Sequence, residues 1–174
     1  MSKASYIRTL QLMYLARPKR DRRLYRQLLA IGATRIVEVG LGTGQRALNL
    51  ISLAQRHSSD KPIRYTGIDL FEARPHDRSF SLKHAHQLLH GKGYEVRLVP
   101  GDPVSALARC ANELRGTDLI VVSAQIPKPA LVAAAHFLNR MLHNDSQVWV
   151  ESESDFEILG PADLRGLVPS RRAA

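Results

Sequence analysis

Between residues 35 and 44 the chain shows one period and then breaks it. Arg35-Ile36-Val37-Glu38-Val39 is short and β-branched, which reads as a buried strand. Gly40-Leu41-Gly42-Thr43-Gly44 follows at once, with glycines at alternate positions, and then an amphipathic stretch predicts a helix over 45–56. Few folds use that order. Glycine permits positive φ and lets backbone N–H groups approach a ligand closely. The amino end of the following helix carries partial positive charge suited to a carboxylate or phosphate. The feature therefore asks for a strand, a tight turn and a helix packed as one unit, with any ligand at the turn.

The alternation continues down the chain. Further strands are predicted over 63–68, 94–99, 118–122 and 147–151, and further helices over 79–90, 103–115 and 128–142. Five strands separated by four helices, with short connections, predict a three-layer α/β chain around a doubly wound, mainly parallel sheet. Two helices precede them. Ser2 can cap the first, with Ile7, Leu10 and Tyr14 inward and Pro18 ending it. Asp21 can cap the second, Arg22 to Ile31, with Leu24, Leu28 and Ile31 inward and Gly32 as its terminal glycine. Phe156-Glu157-Ile158-Leu159 predicts one short strand or an extended edge. With no repeat or low-complexity tract, the expectation is a single domain over 1–174: N-terminal helices 1–31, an α/β core 32–151 and a short extension 152–174. Ligands of such sheets sit outside the carboxyl ends of the strands, near strand 1. The positions to inspect are those just after residues 39, 68, 99, 122 and 151.

The turn fails two nucleotide-binding templates. A phosphate-binding P-loop needs Lys followed by Ser or Thr where this chain has Gln45-Arg46. The strict dinucleotide fingerprint needs a glycine at Gln45, which ranks a nicotinamide-dependent dehydrogenase low. The run Val37 to Gly44 instead resembles the first motif of class I S-adenosylmethionine-dependent methyltransferases, over roughly residues 30–151. The resemblance implies a Rossmann-like sheet of order 3-2-1-4-5. It implies that Gly40, Gly42 and Gly44 line the methionine part of S-adenosylmethionine and that Glu38 orients that region. It also implies that Asp69 accepts hydrogen bonds from the ribose hydroxyls, with Leu70 packing on adenine and Asp102 near the adenine amino group. Glu72 is a weaker second ribose candidate. Asp102 is equally a natural helix cap, with Pro103 at the first helical position.

Two features depart from the family pattern. Strand 118–122 is followed by Ser123-Ala124-Gln125, which offers no acidic residue facing a methyl group, and neither Ser123 nor Gln125 titrates near neutral pH. Only 23 residues follow Glu151, too few for the usual strand-helix-strand closure, so a truncated closure is expected. No catalytic residue follows from a motif; Glu151, at the end of the strand predicted over 147–151, is the one carboxylate to consider as a base. Methyl transfer needs chiefly alignment of an activated donor with its nucleophile. The expected function is a methyltransferase of unknown acceptor, or alternatively a catalytically inactive binding module of that fold, RNA-associated.

Charge supports the second option. The net charge is +9 and the pI about 10.2, and Arg17, Lys19, Arg20, Arg22, Arg23 and Arg26 form a basic segment open to phosphates. The same residues can instead pair with nearby acids, and the alternating Glu151, Glu153, Asp155 and Glu157 would suit them. Tyr25 is the one aromatic residue within the segment, so a base-stacking platform is not expected. His84, His86 and His90 do not share one helix face, and no metal site is expected. Cys110 reads as a packing residue. With one cysteine, no apolar run of membrane length and no convincing leader, a cytoplasmic location is expected.

Overall fold

The computed structural model describes residues 3–58, 61–74 and 80–167. Its strands are β1 (Arg35–Val39), β2 (Ile63–Asp69), β3 (Tyr94–Pro100), β4 (Thr117–Val122), β5 (Leu142–Glu151) and β6 (Phe156–Leu159). They form one sheet in the order β3-β2-β1-β4-β5-β6. The expected order of the first five is therefore present. Those five run parallel, and β6 lies antiparallel beside β5. The chain works outward from β1 to β3, then returns to β4 on the other side of β1. The glycine turn lies at that reversal.

Helices α1 (Lys3–Leu15), α2 (Asp21–Ile31), α3 (Gln45–His57) and α4 (Leu82–Leu89) stand on one side of the sheet, with α5 (Pro103–Cys110), α6 (Lys128–Met141) and α7 (Pro161–Leu167) on the other. Strand alternation divides β1 between two apolar layers. Ile36 joins Leu24, Leu28, Leu50 and Leu53, whereas Val37 and Val39 join Leu107, Leu138 and Val148. Glu38 shares the parity of Ile36, so its carboxylate enters an apolar layer and needs a partner there. Among the described residues no helix is long and apolar enough to cross a membrane.

Several expectations are corrected. Asp21 is the first residue of α2 rather than its cap, and its carboxylate makes no capping bond. Ser2 lies outside the described residues. Ile7 and Tyr14 are exposed, and α1 presents Leu12 to the core instead. The predicted helix 103–115 stops at Cys110. Beyond it the Gly116 N–H donates to the Met141 carbonyl and the Thr117 hydroxyl to the Leu114 carbonyl, which draws the chain into β4. The shortened α5 leaves part of its sheet face polar. A cavity of about 300 Å³ opens there at the amino ends of the strands, lined by Arg35, Arg64, Arg97 and Arg115. Arg64 pairs with Glu95 and Arg97 with Glu113 at its rim. Strand β5 begins five residues earlier than predicted, and α7 was not predicted at all. Gly32 does end α2 in the left-handed conformation, φ 60°, as read from the sequence.

The amino end of the sheet is tied by Asp118. Its Oδ2 accepts the N–H groups of Thr34 and Arg35, both at 2.8 Å, and its Oδ1 lies 3.0 Å from His143 Nε2. Burial works against its charge, yet the donors from Arg35, Thr34 and His143 outweigh it and hold the carboxyl below the ordinary range. Asp118→Ala should cost about 2 kcal/mol, because two backbone N–H groups lose their acceptor. Since the folded-state pKa is lowered, the Asp118 contribution is present above the unfolded value of about 3.9 and fades as pH falls through the folded value. Urea denaturation of both proteins at pH 7 and pH 3 checks this: the gap should narrow in acid.

Candidate functional site

Strand β1 ends against its neighbours before the chain turns. Gly40 N–H donates to the Ile68 carbonyl of β2, and Ser123 N–H at the end of β4 donates to the Val39 carbonyl, both at 2.8 Å. A Cβ on Gly40, whose φ is +86°, would stand 2.7 Å from Ser123 Cβ. A Cβ on Gly44 would stand 2.7 Å from Leu88 Cδ2 and Phe80 Cζ. These two glycines answer to internal packing. Gly42 differs: it has φ +59° and nothing within 4 Å of a notional Cβ. It borders a cavity of about 430 Å³ that reaches from the turn to the ends of β4 and β5 under the start of α2. Helix α3 begins at the same place with no side-chain cap, so its first N–H groups are not taken by a capping side chain.

Beneath the turn lies an ion cluster centred on Arg46, whose part the sequence analysis missed. Arg46, the second residue of α3, donates through Nε to Glu38 Oε1 at 2.8 Å and through Nη1 to Glu151 Oε2 at 3.1 Å. It also stands 3.7 Å from Asp21 Oδ1. Tyr65 donates its hydroxyl to Glu38 Oε2 at 2.6 Å. Arg20 Nη2 lies 2.5 Å from Glu151 Oε1, and the Ala124 N–H donates to Glu151 Oε2 at 3.2 Å. Tyr25 donates to Asp21 Oδ2 at 3.4 Å and accepts from Asn49 Nδ2 at 3.0 Å. Three carboxylates thus face two guanidiniums.

Full burial pushes the Glu38 carboxyl above its ordinary range, outweighing the pull of Arg46 and Tyr65. Burial likewise raises Asp21 against the attraction of Arg46, and Glu151 adds repulsion. Burial opposes the charge on Arg46, yet Glu38, Glu151 and Asp21 more than compensate, and its pKa is raised. Asp21 Oδ1 has no hydrogen-bond partner among the described residues, the Arg46 distance being too long for one. With carboxylates in surplus, Asp21 is the member best placed to hold a proton.

The sequence-predicted residues fall into distinct settings. Glu38 lies under the turn, fully buried, with both oxygens engaged by Arg46 and Tyr65. Asp69 ends β2, is buried, and accepts the Leu41 N–H at 2.6 Å and the Phe71 N–H at 3.0 Å. Phe71 follows in a short 3-10 turn, Phe71–Ala73, and its φ of +48° is strained for a bulky side chain. Arg74 closes a bidentate pair on the same carboxylate, Nε at 2.7 Å from Oδ1 and Nη2 at 2.6 Å from Oδ2. Leu70 is half-buried beside them. Glu72 accepts the Leu82 N–H at the start of α4. Asp102 is exposed and caps α5 through Val104 and Ser105, whose hydrogen bonds, Ser105 first, hold its carboxyl below the ordinary range. Ser123 Oγ accepts the Gln125 N–H. Glu151, the candidate base, has both oxygens occupied by Arg20, Arg46 and Ala124.

The basic segment is partly consumed inside the molecule. Arg20 holds Glu151 and the carbonyls of Ser152 and Glu153. Arg22 donates to the Ala16 carbonyl, Arg26 to the Arg22 carbonyl, and Arg23 pairs with Asp155 while lying 5.4 Å over the Trp149 ring. Arg17 and Lys19 remain exposed without a partner among the described residues. Cys110 is buried with its thiol donating to the Ala106 carbonyl, the packing role read from the sequence. The sequence carried no signal for Arg46 or Arg74. Arg46 entered only as the residue that breaks the P-loop pattern.

A Staphylococcus aureus protein assigned provisionally as a caffeoyl-CoA O-methyltransferase superposes with a TM-score of 0.58 at 17% identity, covering 87% of this chain and 66% of that one. The apo TDP-rhamnose 3′-O-methyltransferase of calicheamicin biosynthesis superposes with a TM-score of 0.55 at 18% identity, covering 87% of this chain and 78% of that one. The chain thus spans just under two thirds of the first protein's length. No family model and no curated protein sequence matches it. At these identities the likeness is one of fold. The chain has the Rossmann-like methyltransferase fold.

Proposed function

We propose that this chain binds S-adenosylmethionine at the glycine turn and transfers its methyl group to an acceptor held in the adjoining cavity. The observation that carries the reading is the 430 Å³ cavity between Gly42 and the ends of β4 and β5. It lies at the carboxyl edge of the sheet, where the fold reverses, as ligands of open α/β sheets do. The residues of the turn fit the methionine part of the cofactor: Gly42 leaves open space and the uncapped start of α3 suits a carboxylate. Asp69, a buried carboxylate at the end of β2, adjoins the turn through the Leu41 N–H, with both its oxygens already engaged. On this reading Gly42 and its neighbours in the turn hold the methionine part, while Asp69 and Leu70 hold the ribose and adenine, with Asp102 at the adenine edge. Glu38 supports the turn from below through Arg46. Gly40 and Gly44 allow its backbone path.

When bound, the cofactor's sulfonium supplies an activated methyl group. The chain's contribution is alignment and exclusion of water. Glu151, held by two arginines, and Ser123, whose Oγ is turned to Gln125, are not free to act as a base. Asp21, also on the cavity wall, keeps its Oδ1 without a hydrogen-bond partner among the described residues and is the carboxylate there left to accept a proton.

Calorimetry with S-adenosylmethionine, S-adenosylhomocysteine, NAD and ATP tests the reading. Heat is expected with the first two only, and its absence with both would sink the proposal. Asp69→Ala should weaken binding by about 1–3 kcal/mol through lost ribose hydrogen bonds.

The engagement of Glu151 and Ser123 also favours a second reading, a binding module that holds the cofactor without turnover. RNA would then meet the exposed Arg17 and Lys19. Salt-dependent RNA affinity that survives Arg17→Gln with Lys19→Gln would exclude these two residues as its site, and no RNA affinity in the wild type would exclude that partner.

A further inference from the structure

We propose that Arg74 is an internal competitor for the ribose position, so that an adenosyl ligand binds only by displacing its guanidinium from Asp69. The inference rests on the cofactor reading above and names the residue that sets the affinity of that site.

Acceptor capacity at Asp69 is limited. A carboxylate offers about four lone-pair sites. On Asp69, Oδ1 already accepts from Phe71 N–H and Arg74 Nε, and Oδ2 from Leu41 N–H and Arg74 Nη2. No capacity remains for two ribose hydroxyls. Three of these bonds measure 2.6–2.7 Å, at or just below the short end of charge-assisted N–H···O contacts. Two of the four donors are backbone groups fixed by the glycine turn and by the 3-10 turn. Only Arg74 donates from a side chain that can swing away.

The pair is not a surface contact to be discounted for solvent. The Arg74 side chain is 11% exposed and that of Asp69 5%. Arg74 is also seated on an aromatic face, its guanidinium carbon 5.4 Å from the Phe80 ring centre. Phe80 in turn packs against Gly44. Arg74 and Phe80 together fill the space between the end of β2 and the glycine turn. The cavity at Gly42 extends the other way, toward α2 and the ends of β4 and β5. The site is therefore open toward the methionine and acceptor side and closed over the ribose carboxylate. A ligand that needs Asp69 exchanges its diol for the fork, and its apparent affinity falls by the fraction of molecules in which the fork is open.

The test compares S-adenosylhomocysteine binding by calorimetry in the wild type, Arg74→Ala and Arg74→Lys. It adds the Arg74 side-chain Nε–H resonance, assigned by its absence in the variants. Arg74→Ala should bind about tenfold more tightly than wild type, with Arg74→Lys between, because lysine keeps the charge but not the fork. The Nε–H should be protected from exchange in the free protein and lose protection at saturation. Equal or weaker binding by both variants, with wild-type binding intact, would overturn the competition while leaving the cofactor reading in place. Persistent protection in the saturated wild type would overturn it even if Arg74→Ala does not fold. Absence of binding in all three proteins would overturn both proposals.

Discussion

Arg46→Met should destabilise the fold by about 3–5 kcal/mol, the range found when one partner of a buried ion pair is removed. The side chain it replaces is 13% exposed and serves Glu38, which is fully buried, together with Glu151 and Asp21. Methionine fills much of the volume but leaves Glu38 with only the Tyr65 hydroxyl. The pH dependence has a defined sign. Glu38 and Asp21 already titrate above their ordinary range because of burial, and loss of Arg46 moves them further the same way. A raised folded-state pKa gives a stability contribution that is complete below the unfolded value and is lost as pH rises through the folded value. The variant should therefore lose stability more steeply than wild type between about pH 4, near the unfolded carboxyl values, and neutrality. Urea denaturation across that range decides the matter. A deficit under about 1 kcal/mol, flat with pH, would mark the cluster as no stronger than an exposed ion pair.

Gly40→Ala is the second large effect, about 2–5 kcal/mol. A left-handed alanine costs part of it, and overpacking the rest. The new Cβ would meet Ser123 Cβ at 2.7 Å, and neither backbone can yield, because Gly40 and Ser123 are both pinned by 2.8 Å strand bonds. Gly42→Ala is the control. With open space around it, only the conformational penalty applies, roughly 1–2 kcal/mol. The same methyl would project where the methionine part of the cofactor is proposed to lie. Thermal denaturation should rank the two variants in that order, and titration with S-adenosylhomocysteine should show Gly42→Ala binding more weakly than wild type. An unchanged affinity would remove the ligand from the turn.

These two glycines show how far the chain could be read by itself. Alternate glycines after a β-branched run announced a tight turn, and the resemblance to a methyltransferase motif treated all three alike. Tertiary packing divides them: Gly40 is held by Ser123, Gly44 by Phe80 and Leu88, and Gly42 alone faces open space. Asp102 was legible as a helix cap because capping is local, and its capping bonds reach only Val104 and Ser105. The end of α5 was not legible. It depends on Met141 and on the start of β4, which a helical periodicity over 103–115 does not report.

The amino-acid sequence determined the order of strands and helices, the place of the glycine turn and the carboxylate at the end of β2. Periodicity and turn chemistry act over a few residues, and short connections argue for a parallel doubly wound sheet, while the order 3-2-1-4-5 came from the family resemblance. Pairing of the basic segment with the acids at 151–157 was legible as an option, and Arg20 with Glu151 and Arg23 with Asp155 realise it. Tertiary structure decided the rest: Arg46 meets Glu151 across 105 residues, and Arg74 lands on the carboxylate read first as the ribose acceptor. A charge in sequence shows only that it must be solvated or paired. Which it is, and by what, depends on the packing geometry that buries Glu38 against α3 and leaves Arg17 in water.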